Sequence, residues 1–212
     1  AGDEAQRASI LESVIGGETL GAFAYVERQR RFAIVDCKTY AVKTGDGYRL
    51  NGEKVVVFNG ENADTLVVLA RTSGDQSDED GLSLFVVDAS AEGVSKVCYP
   101  MMDAQRVANI TFDNVQLDAG SLLGAEGGAA AVVHEVVREA LVVLASEDVG
   151  IMGTLNAKTL EYTETREQFG VANGSFQALQ HRMVDGMMAY EQSKSLLFKA
   201  LCGYKIDAAS AE

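Results

Sequence analysis

The side chains able to do chemistry are few in this 212-residue chain, and their spacing excludes most uses of them. Three cysteines (Cys37, Cys98, Cys202) and two histidines (His134, His181) lie far apart. Neither a Cys-x-x-Cys nor a His-x-x-x-His spacing occurs, so the sequence predicts no metal site. An odd number of scattered thiols fits a reducing compartment better than a disulfide framework. His134, at the start of a helical stretch, reads as a surface residue rather than an acid–base group. Glu147 and Asp148 sit among apolar neighbours, where burial would perturb their ionisation; ordinary solvent exposure is the simpler reading. Asp75, Asp78, Glu79 and Asp80 form an acidic run that reads as a solvated loop tip. A nucleic-acid binder needs a basic face to displace counterions, and a formal net charge of -13 argues against one. No run approaches the ~20 apolar residues that span a bilayer. No basic-then-apolar leader is visible either, so the sequence predicts a cytoplasmic protein with no membrane partner.

The elements that would position such residues fall into three expected parts: 1–17, 18–124 and 125–212. Residues 4–15 place Ile10, Leu11, Val14 and Ile15 on one helix face, ended by Gly16 and Gly17. A helix this short is marginal alone and reads as the tail of a preceding helical domain. From 18 to 124 strand follows strand: Gly21–Val26, Lys38–Lys43, Tyr48–Leu50, Lys54–Phe58, Leu66–Ala70, Leu82–Val87, Val94–Val97 and Val107–Phe112. Gly45-Asp46-Gly47 supplies one turn. Asn51-Gly52 predicts another, a two-residue hairpin whose central positions need positive φ. Strands this frequent, with no helices between them, predict an antiparallel sandwich or barrel.

After Gly124 the apolar period lengthens. Val133, Val136, Val137, Ala140, Leu144, Met152 and Leu155 line one face of a helix to about residue 165. Gly150 and Gly153 mark close backbone packing. A second helix starts near Ser175, with Phe176, Leu179, Met183, Met187, Tyr190, Leu197 and Leu201 three or four apart. The expected class is α+β: an antiparallel β-sandwich or barrel-like middle domain, then a long antiparallel helix pair from a helical-bundle domain. Two helices cannot hide both apolar sides from water by pairing only with each other. They need further helices, from the same chain or a second subunit.

The junction between the two helices carries the most specific pattern. Arg166-Glu-Gln-Phe-Gly170, Ser175-Phe-Gln-Ala-Leu-Gln180 and Met183-Val-Asp-Gly-Met187 resemble the R-x-Q-F-G…F-Q-x-x-Q…A-D-M signature of acyl-CoA dehydrogenases. Tyr48-Arg-Leu-Asn-Gly-Glu-Lys54, Asn59-Gly60 and Ala63-Asp64 are similar to that family's Y-x-L-N-G-x-K…T-N-G…A-D segment. Val107–Asp113 with Leu122-Leu-Gly124 is similar to its exit strand. Within the family, Ser175–Met187 is most similar to small-subunit members of the pimeloyl-CoA dehydrogenase type.

The resemblance implies a flavoenzyme that oxidises the Cα–Cβ bond of an acyl-CoA thioester, a glutamate taking the α-proton and the β-hydrogen leaving as hydride to FAD. It places the flavin ring against Phe23–Val26 (Phe23, Tyr25 and Val26) and Val56–Asn59 (Val56, Phe58 and Asn59). It sends Arg166, Gln168, Phe169, Phe176 and Gln177 to the FAD of a partner subunit, where a guanidinium forks onto two diphosphate oxygens. Arg28, Arg30 and Arg31 either hold the CoA phosphates or form an exposed basic loop. The implied assembly is a homodimer or tetramer, or one subunit of a heteromer, with an electron-transfer flavoprotein as acceptor.

Departures from the family pattern open a second reading. Its T-E-P-x-A-G-S-D becomes Val26-Glu27-Arg28-Gln29-Arg30-Arg31, keeping only the glutamate. Its W-I-T-N becomes Val56-Val57-Phe58-Asn59, so both hydroxyls beside the flavin are lost. The base in most of the family lies on a segment beyond residue 212. In a minority it takes the position filled here by Ala140, and neighbouring Glu139 points about 100° away around the helix. The family's helix arginine falls at Leu141. Residues 1–212 alone are therefore expected to be inactive, and a non-catalytic subunit that completes an active partner is the alternative.

Overall fold

Alternation of buried and exposed side chains through the first half of the chain builds one eight-stranded sheet. The computed structural model describes Gly2 and residues 4–209, without the side chains of residues 5, 9 and 204–209. Helix α1 (Glu4–Ile15) leads into β1 (Gly21–Ala24), β2 (Tyr40–Thr44), β3 (Gly47–Phe58), β4 (Thr65–Arg71) and β5 (Leu82–Asp88). Then come β6 (Val94–Pro100), β7 (Arg106–Asp118) and the short β8 (Leu122–Leu123). The sheet order is β6-β7-β3-β2-β4-β5-β8, with β1 also pairing on β4. Neighbours are antiparallel except β1 on β4 and the Tyr40–Arg71 pair of β2 on β4.

Inward residues of these strands make the core, including Leu50, Leu66, Val68, Phe85, Val87, Ile110 and Phe112. The rings of Tyr48 and Phe85 meet edge to face at 5.0 Å. Helix α1 is held to this unit by Gln6, whose Nε2 donates to the carbonyls of Gly120 and Leu122, each at 2.8 Å.

One expected turn is a strand interior. Asn51-Gly52 does not reverse the chain: β3 runs unbroken from Gly47 to Phe58, and the hairpin with β2 turns at Gly45-Asp46. The glycine serves a close approach instead. Gly52 has φ 145, and a Cβ there would lie 2.5 Å from Thr39 Oγ1. The β3–β7 register slips between Leu50 and Gly52. Asp113 and Asn114 of β7 stand there opposite the single residue Asn51, whose Oδ1 accepts from the Asn114 amide, so Asn51-Gly52 lies opposite a bulge in β7.

The chain divides into two compact units, residues 1–135 and 136–212. Helix α2 (Ala129–Thr165) is followed by the two-residue strands β9 (Glu167–Gln168) and β10 (Val171–Ala172), then by α3 (Gln177–Ala209). In the second unit α2 and α3 run antiparallel. Gly153 leaves room for the Tyr190 ring, Asn156 Nδ2 donates to the Gly186 carbonyl at 3.2 Å, and Thr163 contacts Met183. Gly150 has nothing within 4 Å of an added Cβ, so only one of the two expected close contacts is made by this pair. Leu141, Val143, Leu144, Leu155, Met187, Leu196 and Phe198 remain exposed, as two helices alone require. Among the described residues no helix is long and apolar enough to cross a membrane.

Gly52→Ala combines a disfavoured φ with a backbone clash and is expected to cost at least about 2 kcal/mol. Gly45→Ala, at φ 58 with open space around it, is expected to cost about 1 kcal/mol. Urea unfolding of the two variants measures the difference.

Candidate functional site

The two stretches expected to face a flavin are 30 residues apart in the sequence, and the fold brings them side by side. The Val55 amide donates to the Val26 carbonyl at 2.9 Å, joining the residues that follow β1 to the end of β3. Beneath this junction lies a buried ion pair. Lys54 Nζ is 2.7 Å from Glu27 Oε1, with the lysine side chain wholly buried. Glu27 Oε1 also accepts from the Thr39 amide and the Cys37 thiol, and Oε2 from the Lys38 amide and Gln29 Nε2. Five donors thus converge on one carboxylate. Burial alone would raise its pKa, but the Lys54 charge and these hydrogen bonds outweigh burial and bring it to about 2. The Cys37 thiol is pushed up to about 11, first by burial and then by Glu27, so it is a poor nucleophile.

The loop between β1 and β2 is therefore pinned onto β3. A second pin is Arg71, buried at the end of β4. Its Nη atoms donate to the carbonyls of Val35, Ser73, Gln76, Asp78 and Asp80. The acidic run 75–80 is exposed, as expected, while its backbone is gathered by this guanidinium.

At the surface of the junction the backbone is strained. Val56 has φ 51 and Asn59 φ 58, and a β-branched residue in that region is a true outlier. Asn59 Nδ2 reaches the Gly21 carbonyl at 3.4 Å. Phe23 and Tyr25 stack with centroids 4.7 Å apart and planes 14° from parallel. Phe23, Tyr25, Val26 and Val56 are half-buried and Phe58 is exposed, giving an apolar, aromatic surface.

The three arginines do not form one cluster. Arg28 ion-pairs with Glu53 at 2.9 Å, and Arg31 is exposed with φ 47. Arg30 is only 7% exposed. Its guanidinium lies 4.6 Å from the Tyr25 ring centroid, and Nη1 donates to the Tyr25 carbonyl. The expectation that all three could meet phosphates is corrected for Arg30: its guanidinium turns inward against Tyr25, and burial lowers its pKa despite the nearby Tyr25 and Glu27.

In the second unit the helix corner is a miniature hairpin. Phe169 (φ 57) and Gly170 (φ 80) form its two-residue turn, and the Asn173 amide closes it onto the Arg166 carbonyl at 2.8 Å. Phe169 is 93% exposed and meets Phe176 edge to face at 6.3 Å. Arg166, Gln168, Phe176 and Gln177 are exposed alongside it. Glu139 is exposed on α2, as are His134, Glu147 and Asp148.

The buried pair itself was missed by sequence reasoning. Its signal was present: Lys54 falls on the inward face of β3, where alternation calls for an apolar residue, and a buried cation needs a partner. Asn109, which caps the Val56 amide, carried no signal.

Residues 22–115 match a family model described as acyl-CoA dehydrogenase, middle domain, and residues 126–210 one described as acyl-CoA dehydrogenase, C-terminal domain. Two successive domains of one family account for most of the chain. The chain belongs to the acyl-CoA dehydrogenase family. Mitochondrial isovaleryl-CoA dehydrogenase of Arabidopsis thaliana is 32% identical over 93% of this chain and 49% of its own length. Butyryl-CoA dehydrogenase of Megasphaera elsdenii superposes with a TM-score of 0.85 at 27% identity, over 94% of this chain and 53% of that one. The FAD complex of PigA does so with a TM-score of 0.91 at 27% identity, over 97% and 54%. The chain spans about half the length of these relatives. Against the acyl-CoA dehydrogenase pattern, the two positions without hydroxyls, Val26 and Phe58, lie in the two stretches joined at Val55.

Lys54→Met strands a buried carboxylate and is expected to cost about 3–5 kcal/mol, with Glu27→Gln/Lys54→Met recovering part of the loss. The Glu27 pKa is depressed in the fold. Its contribution is therefore complete above about pH 4.5 and is lost as pH falls towards about 2. Stability measured from pH 6 to 2 should fall less steeply in the double variant than in the parent.

Proposed function

We propose that the full-length protein is an FAD-dependent acyl-CoA dehydrogenase, acting as a homo-oligomer or as one subunit of a heteromer. The observation that carries this reading is the Val55–Val26 hydrogen bond. It makes a single floor of the stretches that the family pattern assigns to the flavin. The side chains fit a flavin in kind: a half-exposed apolar and aromatic surface suits a planar ring system. With no hydroxyl at Val26 or Phe58, polar contacts to the ring fall to backbone groups. Bound FAD would supply the acceptor for a hydride leaving the β-carbon.

This chain's own residues then bind and orient. Phe23, Tyr25, Val26, Val56, Phe58 and Asn59 form the floor. Arg166, Gln168, Phe169, Phe176 and Gln177 present a charged, aromatic corner to another subunit's cofactor. A guanidinium on an exposed, strained hairpin suits a diphosphate, which accepts its paired N–H groups. Arg28 and Arg31 are exposed and remain the candidates for CoA phosphate contacts. The family resemblance implies a proton-abstracting glutamate outside residues 1–212, with Glu139 the candidate within them. An electron-transfer flavoprotein is the proposed acceptor, as the family resemblance implies.

A non-catalytic subunit is the second reading, favoured by Ala140, Leu141 and the two lost hydroxyls. Purified full-length protein that is yellow, and bleaches anaerobically with an acyl-CoA, supports the enzyme. Bound FAD that bleaches only when a partner dehydrogenase is present supports the second reading. A colourless protein that takes up no FAD overturns both. Arg166→Ala should weaken FAD retention by roughly 10- to 100-fold, the loss of a charged hydrogen-bonding pair, without lowering the melting temperature of the apoprotein.

A further inference from the structure

The bulge at the floor's centre is held by a side chain that no family pattern assigned. Between the pairs Lys54–Ile110 and Val57–Ala108, two residues of β3, Val55 and Val56, stand opposite the single residue Asn109 of β7. Neither bulge amide can use the ordinary ladder. The Val55 amide goes to the Val26 carbonyl, and the Val56 amide donates to Asn109 Oδ1 at 3.1 Å. That same oxygen accepts from the Tyr99 hydroxyl on β6 at 3.0 Å, which fixes the carboxamide from the other side.

We propose that Asn109 is a positioning residue that holds Val56 in its left-handed conformation and so sets the shape of the flavin floor. This rests on the reading of residues 23–26 and 56–59 as that floor. A valine at φ 51 is held against a cost of order 1–3 kcal/mol, and it persists only where its surroundings over-determine it. Here the Val55–Val26 bond and the Tyr99 hydroxyl behind the carboxamide act together with Asn109, the acceptor aimed at the strained residue itself. Without it the amide is unpaired and the bulge is free to migrate along β3. The slip would also displace Val57, Phe58 and Asn59, because a bulge re-aims the residues that follow it. Asn109 acts through Val56 rather than on a reacting atom.

The test uses the full-length apoprotein, titrated with FAD by fluorescence, alongside its melting temperature. Asn109→Leu removes the acceptor at similar size and is expected to raise the FAD Kd about tenfold. Asn109→Asp keeps an oxygen at that place and should stay within about threefold of the parent. Val56→Gly removes the steric cost of positive φ, so Val56→Gly/Asn109→Leu should bind FAD more tightly than Asn109→Leu alone. Equal FAD affinity in all four proteins, with only the melting temperature moving, overturns the positioning role and leaves the flavin reading standing. A parent protein that binds no FAD overturns the flavin reading, and this role with it.

Discussion

A fully buried lysine beside a buried glutamate is the constraint on which the β unit depends. Moving either charge out of water costs several kcal/mol, and the mutual attraction returns this only when every remaining lone pair is used. Glu27 meets that condition with Lys54, two backbone amides, an amide side chain and a thiol on its two oxygens. The donors come from Gln29 early in the loop after β1, from residues 37–39 at its end just before β2, and from β3. Satisfying one carboxylate therefore fixes three pieces of chain in register. The junction of Val26 with Val55 lies next to these two residues in sequence. Its position follows from theirs.

Rigidity below allows strain above. Val56 and Asn59 hold positive φ directly after Lys54, and Phe169 does so at the helix corner. Such conformations cost about 1–3 kcal/mol each and concentrate where a backbone must present itself in a particular way. Three of the six described non-glycine residues with positive φ fall in the places that the proposed function assigns to the cofactor; Arg31, Ala104 and Asn114 lie in loops or at a bulge elsewhere. Arg71 plays a comparable part at the other end of the loop, gathering five carbonyls under one guanidinium.

Much of this architecture was legible in the residues. Period-two alternation located the strands, and the change to helical spacing after Gly124 located α2 and α3. The surplus of apolar residues on both helices implied the exposed faces that the second unit presents. What misled was local chemistry with two uses. Asn51-Gly52 has the composition of a hairpin turn, but a glycine is also what lets β3 pass close to Thr39, and no local signal separates a turn from a bulge. Arg30 looked like part of a phosphate-binding cluster because charge is visible in a sequence and its burial against Tyr25 is not. Lys54 was readable in principle as a break in alternation, yet its partner lies 27 positions upstream. Asn109 could not have been found, since its role exists only once β3 bulges opposite it.

We propose that residues 23–26 and 56–59 make one cofactor floor, completed across subunits by residues 166–177. Amide hydrogen exchange of the full-length protein, with and without FAD, addresses all three segments at once. FAD should slow exchange in both floor segments and in the helix corner, with smaller changes in β5 and β6. FAD that binds while leaving 23–26 and 56–59 exchanging as before would contradict this proposal.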